Sequence, residues 1–179
     1  AQIRASGADA VYFFLPGGMG VSFVKQYAGS GVDVPLIGPA FSFDQTILAA
    51  VGEAALGVKN TSQWSPDLDN AANREFVAAF QAEYGRLPSL YASQAYDTGR
   101  LLLSAIAKAD VGDKDAFRAA LAAADFESVR GDFRFNTNQH PIHDIYVREV
   151  VKVGDVITNR VVGKVLDDHA DVYAAECKY

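Results

Sequence analysis

The sequence predicts an α/β fold in which short parallel strands alternate with flanking helices and a β-hairpin follows. Three observations lead to this prediction. Short apolar runs alternate with amphipathic segments over residues 1–64. Three longer stretches with helical periodicity come next. Near the C-terminal end, Gly154-Asp155 separates two alternating apolar segments, which is typical of a hairpin turn.

The first strand–turn–helix unit is built around a glycine-rich turn. The apolar run Ala10–Leu15 ends in Pro16-Gly17-Gly18-Met19-Gly20, and an amphipathic segment then extends to Gly29. In an open α/β sheet, ligands bind beyond the carboxyl ends of the strands, where a helix N-terminus offers free N–H groups to an anion. The turn is therefore a candidate wall of a ligand site. A tight strand-to-helix turn without a ligand remains the alternative.

Two more strands and one helix complete the first 64 residues. Val34–Ile37 predicts a short buried strand that ends in the loop Gly38–Phe43. Asp44 is a suitable N-cap for a helix over Gln45–Val51, and Leu56–Ser62 predicts the third strand. This β-α-β-α-β order at short spacing indicates a parallel sheet with helical crossovers.

The middle of the chain is predicted to be helical. Asp69 or Asn70 begins a helix that ends at Gly85. Aromatic residues recur every four positions along it and predict its buried stripe: Phe76, Phe80 and Tyr84.

Two further helices and three strands are predicted after residue 85. The helices cover Leu90–Ala109 and Lys114–Ala124. A short alternating strand lies within Phe126–Phe135, and the hairpin strands are Ile145–Val153 and Val156–Val165.

Composition and charge exclude several classes of protein. The 179 residues are 50% hydrophobic with a net charge of −6, which suits a globular chain and argues against a nucleic-acid partner. The apolar runs are shorter than the roughly 18 residues that a membrane helix needs. The lone Cys177 excludes an internal disulfide and any CxxC site. Ala1–Gly7 is typical of a helix end capped by Gly7, so we expect a C-terminal part of a longer chain, with a signal peptide in the part before it.

No catalytic, cofactor or metal motif is evident. A dinucleotide-binding fingerprint would need a small residue at position 23, where Phe23 stands, and the P-loop sequence is absent. His140 and His143 lie three residues apart, but Pro141 interrupts any helical spacing, so a surface loop is the better interpretation. No serine has a GxSxG context. The residues therefore predict no enzyme activity, no cofactor and no metal.

Five segments resemble the C-terminal half of type I periplasmic binding proteins, in the branch that serves branched-chain amino acid ABC transporters. The matching segments are Gly7–Phe13, Pro35–Pro39, Asn73–Phe80 with Tyr84-Gly85, Tyr91–Asp97 and Gly131–Phe135. The resemblance implies two Rossmann-like lobes joined by three crossovers, with a ligand between them. Residues 1–64 would then belong to the second lobe and residues 65–135 mainly to the first. Residues 136–179 would form a crossover, the hairpin and the tail, and Trp64 and Pro66 would lie near another crossover.

The resemblance also implies which residues contact the ligand. The family presents a residue from the loop after the first strand, and amino-acid-binding members place a glutamate for the ligand's ammonium group in the loop after the second. An aromatic side chain further along packs on the ligand, and another residue follows one helical turn later. In this sequence these positions are Pro16, Gly17, Gly18 and Met19, then Ala40 and Phe41, and finally Tyr91 and Gln94.

One departure from the family pattern predicts the class of ligand. Ala40 stands where the ammonium-binding glutamate is expected. A buried ammonium without a counter-charge costs several kcal/mol, so we expect that the ligand is not an α-amino acid. The nearby aromatic residues suit an aromatic carboxylate such as a benzoate or a phenylpropenoate: Phe14, Phe41, Phe43 and Tyr91. A one-residue shift of the alignment, with Asp44 as the acid, remains open.

The predicted function is that of a periplasmic solute receptor that closes on a small molecule and docks to the membrane permease of an ABC importer. A ligand-sensing domain of a signalling receptor or regulator with the same fold is the first alternative. A branched-chain amino acid receptor and a Rossmann-like enzyme are further alternatives. Exposed sheet edges lead us to expect self-association of a fragment of this length.

Overall fold

The computed structural model describes residues 2–177 and contains a mixed six-stranded sheet with helices beside it. The strands are β1 Val11–Tyr12, β2 Leu36–Pro39, β3 Lys59–Ser62, β4 Arg134–Phe135, β5 Pro141–Val153 and β6 Val156–His169. The helices are α1 Gln2–Ser6, α2 Gly18–Gly29, α3 Gln45–Val51, α4 Ala71–Tyr84, α5 Leu90–Lys108 and α6 Lys114–Ala122. Single 3-10 turns cover Ala40–Ser42, Gly52–Ala55 and Ala174–Glu176. Ala1 and Tyr179, the outer ends of the predicted segments, lie outside the described residues.

The sheet combines a parallel half with an antiparallel hairpin. Its strand order is β1-β2-β3-β5-β4, and β6 pairs with β5. The pairs β1–β2 and β2–β3 are parallel, whereas β5 runs antiparallel to β3 with Arg148 opposite Asn60. The hairpin turn lies between Val153 and Val156, as the Gly154-Asp155 signal predicts. The predicted α/β fold class, with its C-terminal hairpin, is confirmed.

Short polar side chains cap the starts of α3 and α4. Asp44 accepts a hydrogen bond from the Thr46 N–H at the start of α3, as predicted. Of the two candidate caps for α4, Asn70 is the one used, and it accepts from the Asn73 N–H. Each of these caps satisfies one of the backbone donors that the first helical turn leaves free. The helix starts are therefore local properties of the sequence.

Three local predictions need correction. β1 contains two residues rather than the predicted six, because it is an edge strand that pairs only with β2 before the chain enters the glycine turn. The strand predicted within Phe126–Phe135 is limited to the two residues of β4, and an isolated bridge joins Ser128 and Gly131 before it. Tyr84 is 60% exposed and therefore does not belong to the buried stripe of α4. The stripe ends early because Phe76 packs in the core, whereas the Tyr84 ring packs on Phe80, which is only partly buried beside that core.

Two apolar cores flank the turn that follows β2. The first packs α2 and α3 on the sheet and includes Phe43, Val24, Leu48, Val58 and Val150. The second packs α4 and α5 against the end of β3 and consists of Ala40, Trp64, Leu68, Phe76, Leu90 and Val129. The turn after β2 thus contributes one residue to each core. The assignment of residues 1–64 and 65–135 to different lobes stays a prediction.

No helix within residues 2–177 is long and apolar enough to cross a membrane.

Candidate functional site

The loops that follow β1 and β2 meet at one edge of the sheet. The two strands are parallel neighbours, so their carboxyl ends lie side by side, and the Phe13 N–H extends the pairing by donating to the Ile37 carbonyl at 3.1 Å. The Ser42 hydroxyl donates to the Leu15 carbonyl at 2.7 Å and joins the two loops directly. These two loops carry six of the eight predicted contact residues. The loops after β1 and β2 are therefore packed together at this edge of the sheet.

Glycine at two positions allows this close approach. A Cβ on Gly20 would overlap the Leu15 carbonyl oxygen and lie 2.9 Å from the Ser42 hydroxyl oxygen. A Cβ on Gly38 would lie 2.6 Å from the Phe13 ring and 2.7 Å from the Phe43 ring. Real Cβ atoms do not approach that closely, so Gly20 and Gly38 are required for packing. The glycine turn therefore has a structural role whether or not it also contacts a ligand.

An exposed aromatic pair lies at this edge. The Phe14 and Phe41 side chains are 58% and 37% exposed, and their ring centroids are 5.8 Å apart in an edge-to-face arrangement. Met19, in the first turn of α2, is exposed as well. Most large apolar side chains gain free energy by burial, so such a pair beyond two strand ends is suited to bind an apolar group.

The N-terminus of α2 lies at the same edge without a side-chain cap. Gly17 is the N-cap residue, and no side chain caps this helix end. Pro16 and Gly18 are exposed and Gly17 is half-buried. The first N–H groups of a helix have no partner within the helix and carry the positive end of its dipole. A carboxylate is a suitable partner for this helix end.

Asp44 acts as a cap for two helices. One carboxylate oxygen accepts from the Thr46 N–H and hydroxyl at 3.0 and 2.6 Å, and the other accepts from the Leu90 N–H at 2.6 Å. The side chain is buried, with 2% of the residue exposed. A ligand ammonium group would have to compete with these hydrogen bonds. The double cap also fixes the N-terminus of α5 against the turn that follows β2.

Three predicted contact residues occupy different environments near this turn. Ala40 is buried in the second core, with 5% of its surface exposed. Tyr91 follows Leu90 directly in α5 and is exposed, and Gln94, one turn later, is half-buried. The Asp44–Leu90 hydrogen bond brings the start of α5 to the turn that carries Ala40 and Phe41. Ligand contact by the eight predicted residues stays a prediction.

The two histidines considered as metal ligands have separate partners. The His140 ring lies 3.3 Å from the Asp171 carboxylate, whereas His143 faces the Arg130 guanidinium at 3.4 Å. Burial, together with that guanidinium, lowers the pKa of His143 to about 4. Among residues 2–177, no three His, Cys, Asp or Glu side chains are grouped closely enough to hold a metal ion.

A cavity of about 810 Å³ lies on a different part of the molecule. Its walls are α3, the C-terminal end of α4 and the tip of the hairpin, and none of the eight predicted contact residues lines it. Sequence patterns gave no indication of this cavity, because the segments that form it are about a hundred residues apart.

Comparisons with known proteins agree with the resemblance. Residues 1–155 match the family described as periplasmic binding protein. The Leu/Ile/Val-binding protein homolog 6 of Brucella melitensis is 33% identical over 163 residues, which cover 86% of this chain and 42% of that protein.

Two solved structures are similar over nearly the whole chain. An ABC transporter solute-binding protein from R. palustris in complex with benzoate has a TM-score of 0.89 and 36% identity, with 99% of this chain and 48% of that chain covered. One from Rhodopseudomonas palustris HaA2 in complex with p-hydroxybenzoic acid has a TM-score of 0.84 and 29% identity, covering 98% and 50%. The chain therefore spans about half the length of the proteins it matches. Its fold and its sequence match agree: the chain belongs to the periplasmic binding protein family.

Proposed function

We propose that the full-length protein is the solute-binding component of an ABC importer and that it binds an aromatic carboxylate between two lobes. The observation that carries this proposal is the exposed Phe14–Phe41 pair beside the uncapped N-terminus of α2. An aromatic ring packs favourably on other rings in edge-to-face or offset geometry. A carboxylate is stabilised at a helix N-terminus. Together, the two features match the two ends of a benzoate-like molecule.

The charges near the site support a ligand without an ammonium group. Ala40 cannot provide a counter-charge, and the neighbouring carboxylate of Asp44 caps α3 and α5. An unpaired buried ammonium group costs several kcal/mol, which would weaken binding by orders of magnitude. The similar solute-binding proteins that hold benzoate and p-hydroxybenzoic acid support the same class of ligand.

The importer role rests on the family. The similar solved structures are described as solute-binding proteins of ABC transporters, so we propose a membrane permease as the partner and the periplasm as the location. The mechanism would be closure of two lobes around the ligand, which shifts the population towards the closed form. Residues 1–64 and the hairpin would contribute to one lobe, and residues 65–135 mainly to the other.

A branched-chain amino acid is the second candidate ligand, because a relative is named as a Leu/Ile/Val-binding protein homolog. Thermal unfolding of the full-length protein separates the two candidates. A ligand at a hundred times its dissociation constant stabilises the folded protein by about 2.7 kcal/mol, which shifts the melting temperature by several degrees. We expect benzoate and cinnamate to produce this shift, whereas leucine, isoleucine and valine should not.

Two variants connect the shift to the site. Phe41→Ala removes one ring of the exposed pair and should weaken benzoate binding roughly tenfold. Leu103→Ala is the matched control, because Leu103 is an exposed apolar residue on α5, outside the proposed site. Stabilisation by leucine but not by benzoate would refute the proposed ligand. Equal benzoate affinity in wild type and Phe41→Ala would remove the Phe14–Phe41 pair from the site.

A further inference from the structure

Arg148 is a buried cation in the centre of the sheet. It lies on β5 opposite Asn60 of β3, and only 2% of its surface is exposed. Its Nε and Nη2 atoms donate to the Asn60 side-chain oxygen at 3.0 and 2.6 Å, and Nη1 donates to the Trp64 carbonyl at 2.8 Å. All three guanidinium nitrogens thus have partners, and each of these partners is a neutral oxygen.

The guanidinium remains charged in this environment. Burial lowers the pKa of Arg148 to about 10, and Asp44 and Asp67 oppose that shift. A pKa of about 10 leaves the group protonated at neutral pH. A buried charge held by neutral acceptors is costly, and an apolar side chain of similar size would avoid this cost. The presence of a buried arginine at this position therefore needs an explanation beyond packing.

The hydrogen bonds continue from Arg148 towards the candidate site. The Asn60 side-chain amide donates to the Asn159 side-chain oxygen at 2.8 Å, and the Asn159 amide donates to the Phe43 carbonyl at 2.7 Å. A guanidinium can only donate, so Asn60 must present its oxygen to Arg148 and its NH₂ group to Asn159. Because Arg148 can only donate, it determines how the side-chain amides of Asn60 and Asn159 are oriented. The Asn159 NH₂ group therefore faces the Phe43 carbonyl.

The two ends of this chain of hydrogen bonds lie in different segments of the fold. Phe43 ends the turn that carries Ala40 and Phe41, and its N–H donates to the Ala40 carbonyl at 3.1 Å. At the other end, Trp64 follows β3, where the chain leaves the parallel half of the sheet. One side chain thus holds both the turn that follows β2 and the segment that leads towards α4.

We propose that Arg148 is a positioning residue that fixes the turn Ala40–Phe43 for ligand binding through Asn60 and Asn159 and joins this turn to the segment at Trp64. The effect on ligand affinity rests on the proposed function. The effect on the turn itself does not depend on which ligand the protein binds. Arg148→Met should therefore loosen the turn in the free protein and also weaken benzoate binding in the full-length protein.

The experiment compares four variants of the full-length protein at a temperature where circular dichroism shows each to be folded. Arg148→Met removes the donors, and Arg148→Lys keeps the charge with a different geometry. Asn159→Ala removes the side-chain amide that donates to the Phe43 carbonyl. This variant tests the same chain of hydrogen bonds if Arg148→Met fails to fold. Leu103→Ala is the control, because Leu103 is an exposed apolar residue on α5 and has no part in these hydrogen bonds. The measurements are amide hydrogen exchange at residues 40–43 and calorimetric titration with benzoate.

We expect Arg148→Met and Asn159→Ala to speed exchange of the Phe43 N–H about tenfold and to raise the benzoate dissociation constant about tenfold. Arg148→Lys should recover part of both effects, and Leu103→Ala should change neither by more than about twofold. Unchanged exchange at Phe43 would overturn the inference. Faster exchange with unchanged benzoate affinity would overturn the link to binding. A wild type that does not bind benzoate would refute the proposed function, and the exchange result would then decide the inference by itself.

Discussion

Replacement of Gly20 by alanine should destabilise the protein by about 2–3 kcal/mol, because overpacking where nothing can move aside costs that much. The new Cβ would overlap the Leu15 carbonyl oxygen, a backbone atom that no side-chain rotation can displace. It would also lie 2.9 Å from the Ser42 hydroxyl oxygen, which donates to the same carbonyl. Relief requires α2 to move away from the loops after β1 and β2, so the Ser42–Leu15 hydrogen bond should also weaken.

Gly18 provides the matched control within the same helical turn. No atom lies within 4 Å of a Cβ added to Gly18, so Gly18→Ala should be neutral or stabilising by about 0.5 kcal/mol. Urea denaturation of wild type and both variants, followed by circular dichroism, gives the free energies of unfolding. A Gly20→Ala protein as stable as Gly18→Ala would refute the claim that close packing requires glycine at position 20.

Three further predictions concern buried polar groups and the half-buried His143. Asn73→Leu should lower the free energy of unfolding by about 2–3 kcal/mol in urea denaturation, because the Trp64 indole N–H loses its buried acceptor; a loss below about 0.5 kcal/mol would contradict this. Asp97→Asn should cost about 3 kcal/mol in the same assay, because the buried Arg130 guanidinium loses its carboxylate partner, and an unchanged midpoint would contradict it. Burial and the charge of Arg130 lower the pKa of His143 from 6.5 to about 4, so the unfolded chain binds a proton in that range that the folded protein does not. Stability should therefore fall as pH drops from 6.5 towards 4, and His143→Gln should flatten this fall in denaturation curves across the range; equal slopes would contradict the prediction.

The local features of the fold could be predicted from the sequence because they depend on neighbouring residues. Asp44 was predicted to cap α3, and it does so through the Thr46 N–H two residues away. The alternation of strands and helices over residues 1–64 and the hairpin turn at Gly154 follow from the same short-range patterns.

Features that depend on distant residues could not be predicted. Arg148 binds Asn60, which is 88 residues earlier in the chain, and no periodicity indicates that a charged residue within a predicted strand is fully buried. The sequence allows Asp44 as the acid that binds a ligand ammonium group. In the structure, however, its second carboxylate oxygen accepts a hydrogen bond from the Leu90 N–H at the start of α5, 46 residues later in the chain. Tyr84 fits the helical stripe but is 60% exposed, because its ring packs on Phe80, which is itself only partly buried beside the second core.

The sequence indicated where the candidate site lies but not which of its residues have a packing role. The glycine turn and the loop after β2 are both predicted to contact the ligand, and the Ser42–Leu15 hydrogen bond joins the two loops. The sequence did not distinguish Gly20, whose role is close packing, from the glycines that open the helix N-terminus. The special role of Gly20 depends on where Leu15 and Ser42 lie in the folded protein, and this cannot be predicted from the neighbouring sequence.

The most direct test of the proposed function is calorimetric titration of the full-length protein with benzoate and, separately, with leucine. The account predicts a saturable benzoate isotherm with one site and no measurable binding of leucine at the same concentrations. Since an unpaired buried ammonium group costs several kcal/mol, the two affinities should differ by at least about a thousandfold. Leucine binding as tight as benzoate binding, or tighter, would contradict the proposed ligand. It would also contradict the inference that Ala40, in place of a glutamate, disfavours an amino acid ligand.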